Sequence, residues 1–460
     1  MERQQIKDRL YEKYIAPTKK SREGYIGVEI EIPILNLKKK PVEFANVHRV
    51  TAAFMEEFGF ETEKTDDDGN ICAAIHAATG DILSYDCSYN NLELSMGKEK
   101  NLFRIKERFE RYYTFLKNQW EKYDYTMTGM GVNPYRNYNY SEPIPNGRYR
   151  MLFHHLKSCQ NYRINKYFHF YTDYGLFSSA SQVQLDVDYE ELIPTIRAFS
   201  KLEPIKAMLF SNSVLLGERE DLQCARDMFW EDSTHGINPH NIGMFEKIPK
   251  TVEELQDYIE STSIYCVERE EKYINFEPIP ILDYFDRDEI SGEYYDIQKK
   301  SYQTIVFQPE IGDLEYLRTF KFEDLTFRGT IEFRSVCCQP MSDSMLVAAF
   351  HLGLKEKVRE LDEILARDTV LYGRGYTASE LRKLFCRTQF PSFVDKNDCY
   401  QLAKQIADLS SEGLRMRGYG EESLLLPLYD RIEAQTNPAQ YLLKNKDDIE
   451  KVILEFGKLV

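Results

Sequence analysis

The stretch Gly27-Val28-Glu29-Ile30-Glu31-Ile32 decides the fold. Side chains alternate across a strand, so Val28, Ile30 and Ile32 can turn toward a core while Glu29 and Glu31 project together from the other face. Three later stretches repeat the pattern. Asn91-Leu92-Glu93-Leu94-Ser95 sets Glu93 and its polar neighbours against two leucines, with Asp86 shortly before it. Gln182-Val183-Gln184-Leu185-Asp186 and Thr330-Ile331-Glu332-Phe333-Arg334 divide in the same way. Parallel strands covered on both faces read as continuous apolar runs, so this alternation predicts antiparallel pairing.

Outward from these strands, apolar spacing predicts helices near 2–15, 47–59, 101–123, 189–209, 251–274, 342–366, 377–386 and 397–413. The fold class expected is therefore α+β: an antiparallel sheet with one polar face, covered by helices, and a largely helical C-terminal region. No internal repeat, low-complexity tract or Pro/Gly/Ser linker interrupts the 460 residues. A chain of this length with 42% hydrophobic residues can bury a large core.

Composition excludes several classes of function. A formal charge of -16, from 75 acidic against 59 basic residues, repels polyanions, so no nucleic-acid partner is expected. The segment from Met1 to Tyr14 is charged from its second residue and lacks the apolar core of a secretory signal, and the apolar run at 345–350 is too short to cross a bilayer. A cytoplasmic protein with no membrane partner is the expectation. The nine cysteines form no paired CxxC clusters with histidines at ligand spacing, so they read as buried reduced thiols.

The four strands together say more than each alone. A single strand with polar residues on one side reads as a wet edge. An ordinary wet face uses Lys, Thr and Ser freely, whereas these faces offer Glu29, Glu31, Glu93 and Glu332 with two glutamines, one arginine and no lysine. Four carboxylates on one sheet either rise in pKa or are neutralised by cations. Oxygen ligands suit magnesium or manganese, and magnesium binds through a few carboxylates together with substrate phosphates. A nucleotide is thereby implied. No GxxxxGK[ST] and no GxGxxG opening a helix occurs, so metals rather than a glycine loop would have to hold the phosphates.

Four motifs in order, GVEIE at 27–31, NNLELS at 90–95, SQVQLD at 181–186 and TIEFRS at 330–335, resemble those of gamma-glutamylcysteine synthetases, otherwise glutamate-cysteine ligases. The block from Leu202 to Trp230 is similar to the same family, especially its plant and proteobacterial branch. The resemblance implies a glutamine-synthetase-like fold, with residues 1–340 as a catalytic ligase unit and 341–460 as a helical region packed on it. It implies ATP and Mg2+ as cofactors, small-molecule substrates as partners, and amide formation through an acyl phosphate. Carried over residue by residue, Glu29, Glu31, Glu93 and Glu332 stand at metal-binding positions, and Asp86 adds a ligand or a carboxylate beside them. Gln182 and Gln184 lie near metals and phosphates. Arg334 stands near the transferring phosphoryl group, a role suited to a forked, permanently charged donor. Arg226 stands where relatives hold the substrate α-carboxylate.

One position departs from the pattern. Many relatives carry an arginine where this chain has Phe177, so recognition of a second carboxylate is expected to differ. The acceptor amine and the carboxylate donor are both left open by this change. Two alternatives of other classes stand beside the ligase reading: a phosphotransferase that uses the same metals without an amine, and a degenerate ligase that serves as a binding module.

Overall fold

The computed structural model describes residues 3–162, 164 and 166–460. Residue 2, at the edge of the first expected helix, lies outside them. The central feature is a nine-stranded sheet. Its order runs Glu323–Leu325, Thr330–Phe333, Ser181–Asp186, Ile26–Asn36, Asn91–Glu99, Ile82–Tyr85, Ile71–Ile75 and Glu61–Thr65, and Tyr125–Met127 pairs with the far end of Ile26–Asn36. Every pairing in it is antiparallel.

The apolar face follows from the alternation. Val28, Ile30 and Ile32 are at most 2% exposed, and Leu92, Leu94, Val183, Leu185, Ile331 and Phe333 join them in one continuous core. Helices Tyr189–Phe210, Leu346–Glu356 and Leu102–Glu121 pack on this face. Phe333 meets Phe199 at 4.4 Å and His351 at 4.8 Å between ring centroids. Each fully buried aliphatic or aromatic side chain of this kind contributes roughly 1.5–3 kcal/mol. Burial of this face forces the other face, with its carboxylates, to stay together on the opposite side.

The C-terminal region is helical; its buried residues up to Ile432 join the same core as the sheet, and Ala439, Leu442, Val452, Ile453 and Phe456 form a second cluster with Leu35 and Met130. The helix expected at 342–366 is two, Leu346–Glu356 and Val358–Arg367, broken at Lys357.

The helix expected over 251–274 is a correction. It ends at Glu260, and the chain then builds a second, four-stranded sheet from Ser263–Arg269, Lys272–Pro280, Ile290–Asp296 and Ser301–Phe307. The first two of these strands are joined by Glu270 and Glu271, both at positive φ (50° and 63°). Such a turn ordinarily advertises itself with Gly or Asn. Here two glutamates occupy it, so the sequence carries no hairpin signal at this point.

Candidate active site

Register decides which polar side chains meet. Glu31 lies opposite Glu93 and Glu29 opposite Ser95 on one side of the first strand. On its other side Glu29 lies opposite Gln182 and Gly27 opposite Gln184. Glu332 then pairs with Gln184 on one flank and with Asp324 on the other. Directly opposed residues point to the same face, so Glu29, Glu31, Glu93, Gln182, Gln184, Asp324 and Glu332 share one surface. Gly27 is small for a reason: a Cβ there would stand 3.3 Å from that of Gln184. Asp86 reaches the same area from the turn after Ile82–Tyr85, and its carboxylate accepts from the Cys87 thiol at 3.5 Å.

The glutamines hold the carboxylates in place. Gln182 donates to Glu31 Oε1 at 2.6 Å, and the Ala180 amide donates to Glu31 Oε2 at 2.7 Å. Gln184 donates to Glu29 Oε1 at 3.0 Å, and Ser95 to Glu93 Oε1 at 2.6 Å. Arg334 donates to Glu332 Oε1 at 2.5 Å. Among the described residues this is the ion pair that the six acids make. One guanidinium is thus ion-paired among six carboxyl groups, while Arg148, Arg226 and Arg328 act on them from farther away.

The electrostatic consequence is large. Burial pushes Glu29 up to about 8, helped by the charges of Glu332 and Glu93. Glu31 is driven well above the carboxylate range by burial and by Asp86. Burial and Asp86 raise Glu93 to about 7, burial raises Asp86, and burial raises Asp324 to about 6. Arg334 stays charged: burial opposes its charge, but Glu332, Asp324 and Glu29 more than compensate.

These residues fit magnesium. Divalent magnesium takes oxygen donors, and the surface supplies carboxylates short of counter-charge together with Gln182 Oε1, a buried acceptor with no hydrogen-bond partner. Shifted carboxylates in a cleft, each with an identified charged neighbour, are also the signature of a functional site.

Five of the six acids border two adjoining cavities, and Glu93 lines neither. One, of about 290 Å³, is lined by Glu31, Asp86, Gln182, Arg226, Glu332 and Arg334. Its neighbour, of about 450 Å³, is lined by Glu29 and Gln184, and Arg328 borders both. Gln182 and Arg334 line the first cavity and Gln184 the second. Gln184 stands two residues farther along its strand, with its amide spent on Glu29.

Arg226 is the second residue of the helix Ala225–Glu231 and is 5% exposed. Its amide donates to Ser213 Oγ at 3.1 Å and its Nη1 to the Arg334 carbonyl at 2.9 Å, while Nε has no partner. Phe177 does not border the cavity. It packs behind the wall, against Cys87 and Leu176, and Cys87 lines the cavity in front of it. Sequence reasoning missed Asp324, Arg148, Arg318, Trp230 and Phe320, all of which line the same cavity. His235 stacks on Trp230 at 5.6 Å, and burial holds it neutral, at about 3, so it serves packing rather than proton transfer.

Sheet order, polar face and helical cover define a fold shared with ligases. The crystal structure of a glutamate-cysteine ligase from Francisella tularensis in complex with AMP matches with a TM-score of 0.52 at 10% identity, over 95% of this chain and 88% of that one. The chain belongs to glutamate-cysteine ligase family 2, whose sequence profile matches residues 25–455. Chloroplastic glutamate-cysteine ligase of Nicotiana tabacum is 23% identical over 313 residues, 65% of this chain and 54% of the relative. That of Solanum lycopersicum is 23% identical over 310 residues, with the same coverage. The chain thus spans about half the length of the curated relatives it matches. No helix among the described residues is long and apolar enough to cross a membrane.

Proposed function

We propose that this chain is an ATP- and magnesium-dependent ligase that joins a carboxylate to an amine, with the γ-carboxylate of glutamate as the first donor to test. The observation that carries the reading is the six-acid sheet face with a single paired guanidinium, in a chain of this family. Glu29, Glu31, Glu93, Glu332 and Asp86 would supply oxygens to magnesium, and Asp324, opposite Glu332, would add another. Bound magnesium supplies neutralisation of phosphate charge and alignment for in-line transfer.

The protein's own groups do the rest. Arg226 holds the donor α-carboxylate. Gln182 and Gln184 orient Glu31 and Glu29. A donor carboxylate oxygen attacks the γ-phosphorus of ATP, ADP departs with the bridging oxygen, and an acyl phosphate results. The amine then attacks the acyl carbon and loses a proton, and phosphate leaves with the former carboxylate oxygen. Arg334, fixed beside Glu332, faces the charge that develops as phosphate is transferred. No protein nucleophile is needed.

The test is ADP release from magnesium ATP with glutamate and other carboxylates, each with and without a panel of amines that includes cysteine. Release that requires both an acid and an amine, with stoichiometric amide, is expected. Release with the acid alone and a stable phosphorylated product would make the chain a phosphotransferase. No nucleotide turnover with any pair would leave a binding module. A cytoplasmic location belongs to the same reading, motivated by nine free buried thiols, and fractionation of the tagged chain checks it.

A further inference from the structure

Beside Arg226, and outside both cavities, four donors that the ligase reading does not use converge from three segments of the chain. Cys224 precedes the helix Ala225–Glu231 and Asp227 lies on it, Cys337 follows the strand Thr330–Phe333, and Cys386 closes the helix Ala378–Phe385. All four are buried. Cys224 Sγ stands 3.7 Å from Cys337 Sγ and 3.3 Å from Asp227 Oδ1, and Cys386 Sγ stands 3.2 Å from Asp227 Oδ2. Ligand atoms of Cys224, Asp227 and Cys386 all lie within 4.8 Å of one another. A tetrahedral zinc ion, with Zn–S of about 2.3 Å and Zn–O of about 2.0 Å, holds two sulfurs about 3.8 Å apart and a sulfur and an oxygen about 3.5 Å apart. The spacing in the protein is already close to that of such a ligand set.

The backbone that presents these donors is fixed. The Gln223 and Cys224 amides donate to the Cys386 carbonyl at 2.8 and 3.3 Å, and the Ala225 amide donates to the Ser213 carbonyl at 2.9 Å. Ser213 Oγ also accepts from the Cys337 thiol at 3.3 Å. Arg382 aligns the carboxylate, with Nε on Asp227 Oδ2 at 2.5 Å and Nη2 on Oδ1 at 3.0 Å. Each carboxylate oxygen has lone pairs enough for a guanidinium and a metal, and a hydrogen-bonded carboxylate is the usual form of a metal ligand. The arginine charge also offsets part of the negative charge that three thiolates and a carboxylate would carry. Donor chemistry then separates two kinds of site. The oxygen-only sheet face suits a hard ion such as magnesium, whereas thiolates with one carboxylate suit zinc.

We propose that Cys224, Asp227, Cys337 and Cys386 bind a zinc ion as a closed structural site, separate from the magnesium face. Four protein ligands fill the tetrahedron and leave no position for substrate. The ion enters as the chain folds, and the thiol protons it displaces leave to solvent. Its effect is to tie the helix that carries Arg226 to the segment after Arg334 and to the helix that carries Arg382. The contact between Arg226 Nη1 and the Arg334 carbonyl, at 2.9 Å, is thereby held from behind. This site does not depend on the ligase reading and stands or falls by its own metal content.

The test reads the metal itself, on the full chain produced in zinc-supplied cells and purified without chelator or polyhistidine tag. Elemental analysis should find zinc in equal amount to protein, and the zinc should survive dialysis against EDTA. Titration of the folded protein with a mercurial should release it to a chromogenic zinc indicator in step with the loss of thiols. Protein produced with cobalt in place of zinc should show a thiolate-to-cobalt charge-transfer band in the near ultraviolet and the intense visible bands of tetrahedral cobalt. Cys224→Ser and Cys386→Ser should each lose that band, whereas Glu332→Gln, on the acid face, should keep it. If the serine variants fail to fold, zinc release from the native protein by the mercurial decides the matter. Native protein isolated without zinc, or a cobalt form with no thiolate charge-transfer band, would overturn the proposal. A Cys224–Cys337 disulfide found by mass spectrometry in the freshly isolated chain would overturn it equally.

Discussion

Two clusters of buried charge sit on either side of the strand Thr330–Phe333, and they differ in how their acids are paired. Beneath the sheet, Glu203 is fully buried beside Lys206 at 2.5 Å and is paired with Arg382, which also grips Asp227. Burial alone would raise Glu203, yet Lys206 and Arg382 bring it down to about 2. Its neighbour Glu323 is driven up by burial and by the Glu203 charge, and so keeps its proton. Two cations there, Lys206 and Arg382, pair with Glu203 and Asp227, and burial still raises Asp227 to about 7. Above the sheet, one arginine is ion-paired among six acids while Arg148, Arg226 and Arg328 act from farther off, and burial raises Glu29, Glu31, Glu93, Asp86 and Asp324. Burial is common to both clusters, and Glu203 alone is brought down because two cations, Lys206 and Arg382, touch it directly. The lower cluster is complete as folded; the upper one is completed by cations that arrive with a substrate.

Breaking the lower cluster should produce the largest change in stability. Arg382→Ala strands two carboxylates, and removal of one partner from a buried pair costs about 3–5 kcal/mol. Denaturant unfolding measures it. A loss under about 1 kcal/mol would show that the network is not a structural device.

The upper cluster should respond the other way. Glu332→Gln leaves Asp324 and Glu29 facing Arg334, so stability should change by about 1 kcal/mol or less. Turnover should fall roughly a hundredfold, equivalent to ~2.7 kcal/mol of transition-state stabilisation. An undiminished rate would remove Glu332 from the metal site.

The smallest effect concerns pH. Without metal, Glu29 and Glu93 hold protons up to about 8 and about 7, against an unfolded value near 4.3. The folded chain therefore binds more protons than the unfolded chain across that window, and stability should fall as pH rises from about 4.5 to about 8. Magnesium binds the ionised form, so it should raise Tm more at pH 8 than at pH 6, by about 2 °C or more. Glu93→Gln should flatten both trends. Equal stabilisation at the two pH values would mean that magnesium does not meet these acids.

How far the sequence carried this account depends on the element. Alternation in GVEIE, NLELS, QVQLD and TIEFR gave the faces, because a period of two leaves no other reading once one side is buried. Asp324 escaped because its strand, Glu323–Leu325, is three residues long, too short for a period to register. Arg148 and Arg318 escaped because an arginine on a helix start or a loop looks like any surface cation until the chain closes around it. The 251–274 segment misled because its apolar spacing suits a helix, while the turn that ends the strand after it is made of two glutamates. The Phe177 departure was legible, but its place behind the cavity wall was not, since that depends on how Cys87 packs across it.

Oxygen transfer tests the central claim most directly. If the acid face serves to make an acyl phosphate, the donor carboxylate must give one oxygen to inorganic phosphate. With the donor carboxylate labelled in heavy oxygen, mass spectrometry of the phosphate should show one labelled oxygen per amide formed, dependent on magnesium and strongly reduced in Glu332→Gln. Unlabelled phosphate alongside a full yield of amide would contradict it.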